Sequence, residues 1–347
     1  MQEDAAIAKA GDAGSGDALR PLVQSPFPRE HTYRFFSANG TEQLLRLDFP
    51  SRRFELLGAG ASTSGTFSED AAEPGTFAFT SARTAGGYNA ARFRLVGDAV
   101  IGAFPVTPAY GSPQRFETQS FIAAKTFVTE GTQIDGSFAP LEINRAPTGE
   151  VGGGVISTRI TNAGTRMTTC MSSTPYTIET CPSGVLRTYT LQQNGDIWHA
   201  TSTVNSRDQF DFSVALIGGE RVYLNAGTFR DLMDLGGPER TGLRVGMPAI
   251  NEDWPLSYGM GVSVGGSWGN YALDGLRLRA TVADPWGQVR AVTTTVQAAY
   301  LGYLLPNVRS LNSTEFAGYA IQNKSLFLAW GAPSGSQPAI SVAQVAD

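Results

Sequence analysis

A strand, a tight turn and a second apolar strand recur three times along this chain, and that recurrence limits what it can fold into. The copies are Arg-Phe-Arg-Leu-Val-Gly-Asp-Ala-Val-Ile-Gly from Arg92 to Gly102, Phe-Ser-Val-Ala-Leu-Ile-Gly-Gly-Glu-Arg-Val-Tyr-Leu from Phe212 to Leu224, and Tyr-Ala-Ile-Gln-Asn-Lys-Ser-Leu-Phe-Leu-Ala-Trp from Tyr319 to Trp330. Each is followed by one more short apolar strand: Phe121–Phe127, Leu243–Met247 and Ile340–Val345. A repeated supersecondary unit reads as a scaffold whose copies share one architecture. The repeat predicts three β units over 30–128, 129–250 and 251–347, after a flexible tether over 1–29 rich in Ala, Gly, Asp and Ser.

Between these hairpins the pattern has period two. Tyr33–Phe36 and Gln43–Phe49 flank Asn39-Gly40, a turn pair that accepts positive φ at both residues. Thr188–Gln193 and Asp196–Ser202 flank Asn194-Gly195, with Ile197 and His199 on one face and Trp198 and Ala200 on the other. In Leu276–Val282 the apolar residues Leu276, Leu278, Ala280 and Val282 alternate with Arg277, Arg279 and Thr281, the mark of a half-buried antiparallel strand. Two segments resemble unit openers, Asp135-Gly136-Ser137-Phe138 and Gly265-Gly266-Ser267-Trp268. Helix is scarce. Thr228–Leu235, stopped by Gly236-Gly237, predicts a short one, and Val296–Leu305 reads either as helix or as strand.

Composition agrees with short strands and many turns. Charged residues make up 16% of the 347, against a usual ~25%, while Gly contributes 40 residues. The expected fold is all-β: two or three antiparallel barrel- or sandwich-like units. The formal net charge is −5, and Lys9, Lys125 and Lys324 are the only lysines. Without a basic stripe, a nucleic-acid partner is excluded. No window holds 18 consecutive apolar residues, so no helical membrane span is predicted.

Two cysteines, Cys170 and Cys181, are placed to bridge a hairpin of Thr165–Cys170 with Tyr176–Cys181. Closing so short a loop stabilises by roughly 2–3 kcal/mol and implies an oxidising compartment.

No residues assemble a catalytic signature. His31 and His199 are the only histidines and have no Cys or His at metal-ligand spacing, so no metal is expected. Gly265-Gly266-Ser267-Trp268-Gly269 fits a nucleophile-elbow pattern, but no His follows Ser267 and both flanks read as strand. The glycines there are expected to permit a sharp bend or close packing. The carboxylate pairs Asp208/Asp211, Asp231/Asp234 and Glu252/Asp253 sit in loop or turn contexts. No Gly-rich phosphate loop exists, and no cofactor is expected. The aromatics Trp254, Tyr258, Trp268, Tyr271 and Trp286 crowd one glycine-rich stretch of the third unit. They either fill a core or form a stacking platform or apolar pocket, which makes them the ligand-binding candidates.

The tether, the sparse lysine and the phrase Gly65-Thr66-Phe67-Ser68-Glu69-Asp70-Ala71-Ala72-Glu73-Pro74-Gly75-Thr76-Phe77 resemble uncharacterised exported or lipoprotein-like β-rich proteins of Gram-negative bacteria. The resemblance implies a periplasmic or cell-surface location, an export signal removed from the mature chain, and membrane attachment through an N-terminal lipid. It carries no functional residue. The reading as a whole is a non-catalytic envelope protein that binds a small molecule, a glycan or a surface protein. Two alternatives stand beside it: a secreted hydrolase of polysaccharide or ester with carboxylates from separate strands, and an assembly or adhesion subunit.

Overall fold

The computed structural model describes residues 30–58, 62–84, 91–108, 110, 116–172, 174–230, 239–250, 254, 257–263, 265–284, 286–297, 305–312, 316–333 and 338–346. The tether predicted over 1–29 lies outside them, as do Asp231/Asp234 and Glu252/Asp253.

The chain forms three antiparallel β-barrels in succession. The first runs β1 (Glu30–Ser37), β2 (Glu42–Asp48), β3 (Arg53–Leu57), β4 (Thr63–Glu69), β5 (Thr76–Ser81), β6 (Arg92–Val96), β7 (Ala99–Val106), β8 (Glu117–Ala124). It closes by pairing β1 with β8, Phe36 opposite Ile122. The second opens with a single helical turn, α1 (Gly131–Ile134), and β9 (Gly136–Arg145). Then come β10 (Val151–Val155), β11 (Ser157–Thr161), β12 (Arg166–Cys170), β13 (Leu186–Asn194), β14 (Ile197–Ser202), β15 (Gln209–Ile217), β16 (Glu220–Arg230) and β17 (Glu239–Pro248). The third runs β18 (Ser257–Ser263), β19 (Trp268–Asp274), β20 (Arg277–Ala283), β21 (Val289–Gln297), β22 (Arg309–Asn312), β23 (Phe316–Gln322), β24 (Leu326–Pro333), β25 (Ala339–Val345), and closes β18 on β25.

The second barrel also closes on eight staves, because β10 and β11 are one interrupted strand. Both pair with β9 in a single register, Val155 opposite Leu141 and Thr158 opposite Phe138. Between them Ile156 donates its N–H to Pro140, but Pro140 has no N–H to return. Pairing of β9 with β17 completes the circle.

Each barrel has its own apolar interior cluster. Period-two alternation points Tyr33, Phe35, Leu45 and Leu47 inward in the first, where nine phenylalanines pack ring against ring. Phe93 alone contacts Phe67, Phe77 and Phe79 at 4.5–5.3 Å. Tyr271 stacks on Phe327 inside the third.

The recurring apolar hairpins have a second task. Their strands are buried on both sides, which is why they read as continuous apolar runs rather than alternating ones. In β7, Val100 and Phe104 face the lumen while Ala99 and Ile101 face outward. The outward residues of all three barrels merge into one buried cluster, with Ile122 from the first, Leu243 and Met247 from the second, and Ile340 and Val342 from the third. The packing is cyclic. β1 lies against β16 and β17, β9 against β24 and β25, and β18 against β7 and β8. The first strand of each barrel thus meets the last two of the next, a head-to-tail contact that closes after three copies. The three hairpin turns converge where the barrels meet. A Cβ on Gly97 would lie 2.9 Å from the Gly218 nitrogen, and one on Gly218 would lie 2.0 Å from Ser325 Oγ.

Several local expectations need correction. Thr228–Arg230 belongs to β16, since its register against β17 continues the strand where a helix was expected; 231–238 lie outside the described residues. The unit-opener resemblance is not structural: Gly136–Phe138 starts β9, whereas Gly265–Ser267 is the turn between β18 and β19. Beyond β8, Phe127 bridges to Ala215 of the second barrel instead of extending the first. Val296 and Gln297 are strand, the end of β21.

Candidate functional site

The second barrel contains a cavity with a volume of about 320 Å³. Its origin lies in alternation. On β9, Ala139, Leu141 and Ile143 face the neighbouring barrels, so Glu142 and Asn144 face the lumen. On β17 the same logic turns Leu243 and Val245 outward and Arg244 inward. Opposite Asn144 and Glu142 on β10 stand Gly152 and Gly154. A Cβ on Gly154 would meet nothing within 4 Å. One stave, β10, therefore sends no side chain inward at two successive lumen positions, and the C-terminal end of β9 is left hollow. The other end is filled by Ile134, Phe138, Ile160, Trp198 and Phe212. Gly153, between the two inward glycines, has φ 141°, and Trp330 of the third barrel presses on it from outside. All three glycines are thus used, two to open the lumen and one to admit a neighbour.

The polar wall is a chain of charge-assisted bonds. Arg244 Nε donates to Glu142 Oε2 at 2.5 Å, and Asn144 Nδ2 donates to the other Glu142 oxygen. Arg240 Nη1 donates to Asn144 Oδ1 at 3.3 Å, and its Nη2 lies 3.3 Å from Glu150 Oε1. The Arg244 guanidinium sits 4.0 Å over the Phe229 ring, a cation–π contact at a side chain only 8% exposed. Burial opposes the Arg244 charge, but the Glu142 carboxylate and the Tyr223 and Tyr189 oxygens more than offset it and raise its pKa. Beside Arg244, on β16, Asn225 gives its Nδ2 to the Asp211 carbonyl while its buried Oδ1 has no partner.

Met171 and Ser172 complete the rim. They follow Cys170, which is bonded to Cys181. The disulfide is the one expected, but its context is not. The strand pairing with β12 is β13, and the bridge ties the connecting segment, which ends in a 3-10 turn over Ser183–Val185, back onto the end of β12. Replacing both cysteines by Ser is expected to cost about 2–3 kcal/mol in urea unfolding, through the loop entropy returned to the unfolded chain.

Deeper in the same barrel, the Tyr189 hydroxyl donates to Asp208 Oδ2 at 3.1 Å. Burial raises the Asp208 pKa, against the opposing pull of that hydrogen bond and of Arg244. A carboxyl whose folded pKa is raised binds its proton more tightly folded than unfolded, so stability falls as pH rises from the ordinary Asp value of about 3.9. Asp208→Asn is expected to raise the melting temperature near neutral pH and to leave it unchanged in acid, read by calorimetry across pH.

The aromatics singled out in the third unit do not share a surface. Tyr271 faces the third lumen with Trp254 against that cluster, and Trp268 is buried against Ala103 and Val262 between barrels. Tyr258 and Trp286 are exposed, the latter at the turn between β20 and β21. Period two splits neighbours in sequence onto opposite faces, so crowding along the chain did not become crowding in space. Of the titratable candidates, His199 and Asp211 meet as exposed cross-strand neighbours, Nδ1 to Oδ1 2.7 Å. His31 lies edge-on to Tyr33. Ser267 sits in a tight turn whose Gly265 N–H docks on Thr118 of the first barrel. Among the described residues, no three His, Cys, Asp or Glu side chains gather as a metal site.

Sequence reasoning missed Glu142, Asn144, Arg240 and Arg244. Their signal was present: single charges inside apolar closing strands, as in Leu141-Glu142-Ile143 and Leu243-Arg244-Val245, beside a run of three glycines. The chain matches no protein-family model and no curated protein sequence.

Proposed function

We propose that this chain is a non-catalytic binding protein of the bacterial envelope, periplasmic or at the cell surface, which holds a small polar molecule in its middle barrel. The observation that carries the reading is the cavity in the middle barrel, lined by the buried polar groups Glu142, Asn144 and Arg244. About 320 Å³ falls at the lower end of ordinary ligand sites, which span roughly 300–1,000 Å³. Binding suits the site better than acid–base chemistry, because each carboxylate facing the cavity is already engaged by an arginine, Glu142 by Arg244 and Glu150 by Arg240. The Cys170–Cys181 bridge suits an oxidising compartment.

Saturation-transfer NMR with a mixture of sugars, amino acids and polyols tests the reading. At least one class is expected to receive saturation from the wild-type protein. The signal is expected to vanish in Gly154→Leu and in Ser172→Trp, both with unchanged circular dichroism. Silence from every class, or a signal untouched by either variant, would remove the proposal.

A further inference from the structure

Resting on the binding reading above, we infer that the ligand is an uncharged, polyhydroxylated molecule of about monosaccharide size. The first argument is charge. The cavity is lined by two cations, Arg240 and Arg244, and two anions, Glu142 and Glu150. Each cation is bonded to one anion, Arg244 to Glu142 at 2.5 Å and Arg240 to Glu150 at 3.3 Å. The inner pair is almost fully shielded, with side chains 8% and 9% exposed. An anionic ligand that used the spare Arg244 N–H groups would bring its charge against the Glu142 carboxylate, and a cationic one on Glu142 would meet the guanidinium, so neither gains net attraction unless the pair parts, which leaves a buried ion unpartnered. The buried end of the lining thus offers no uncompensated charge for a ligand to neutralise, and at the rim Arg240 is balanced by Glu150, whose side chain is 68% exposed.

The second argument is hydrogen-bonding capacity. An apolar occupant would seal Glu142, Asn144 and both arginines from water and return nothing to their free lone pairs and N–H groups. Paired Arg and Glu groups still have donors and acceptors to spare, since a guanidinium carries five N–H and a carboxylate about four lone-pair positions. Hydroxyl groups both donate and accept, so a polyol satisfies such a mixed wall without upsetting its charge balance. The third argument is shape. Gly152 and Gly154 present flat backbone, and Phe229, Ile156 and Met171 supply apolar contact for the C–H faces of a ring.

The test is a set of amide-shift titrations with four sugars of one ring size: glucose and galactose (neutral), glucuronate (anionic) and glucosamine (cationic). Glucose or galactose is expected to shift the Gly152, Gly154 and Arg240 amides saturably, with glucuronate and glucosamine weaker by about tenfold or more, equivalent to about 1.4 kcal/mol. Arg240→Met releases Glu150 from its partner and is expected to move the preference toward glucosamine. Equal or tighter binding of a charged sugar overturns the inference, as does the absence of any shift with all four. If none binds while another class still gives saturation transfer that Ser172→Trp abolishes, the ligand class is wrong and the binding reading stands. If nothing binds at all, both fail.

Discussion

Glu142→Ala is expected to destabilise the protein by about 3 kcal/mol or more in urea unfolding, while Glu142→Leu combined with Arg244→Met costs much less. The asymmetry follows from where the pair sits. Both side chains point into the middle barrel and are over nine-tenths buried, and the guanidinium lies between Glu142 on one neighbouring strand and Phe229 on the other side. Removing the carboxylate leaves a buried cation whose close contact is the Phe229 face, with Phe210, Tyr189, Tyr223 and Asp208 near it, and breaking a buried pair from one side costs about 3–5 kcal/mol. Removing both ions removes the desolvation cost as well as the attraction. A single variant costing under about 1 kcal/mol would mean that water reaches Arg244 freely, and the charge argument for the ligand would fall with it.

Gly218→Val is expected to cost roughly 2–4 kcal/mol and to loosen the barrels from one another while each lumen stays packed. Gly218 has φ 59°, a region that β-branched residues avoid, and its Cβ would fall 2.0 Å from Ser325 Oγ where the three hairpin turns meet. Gly219 supplies the control. Its φ is 81°, but a Cβ there meets nothing within 4 Å, so Gly219→Val carries the backbone strain without the collision. The difference between the two variants isolates the contact at the meeting point. Binding of a hydrophobic dye, raised in Gly218→Val and not in Gly219→Val, would report exposure of the shared cluster around Ile122, Leu243 and Ile340. Equal behaviour of the two variants would show that the turns do not hold the barrels together.

Much of this architecture was legible before any coordinates. The Asn39-Gly40 and Asn194-Gly195 hairpins form where turn chemistry placed them. Trp198 and Ala200 face inward and Ile197 and His199 outward, as alternation required. The three apolar hairpins are the closing hairpins of three barrels. The candidate site was much less legible. The aromatics of the third unit were conspicuous because they are large and close in sequence, yet Trp268 and Tyr271 sit three residues apart and face different places. Glu142 and Arg244 are 102 residues apart, and nothing local says that β9 and β17 are neighbours with those two residues in register. The Cys170–Cys181 bridge shows the same division: the pairing was readable from the count, while the loop it ties down depended on β12 pairing with β13.

Side-chain alternation and turn chemistry act over a few bonds, so they set which segments extend, where they reverse and which residues share a face. Closure of each sheet, the cyclic docking of the barrels and the hollow beside Gly152 and Gly154 arise from contacts between distant segments. A face is apolar or polar by its own composition, but what it faces is decided only when another strand arrives in register.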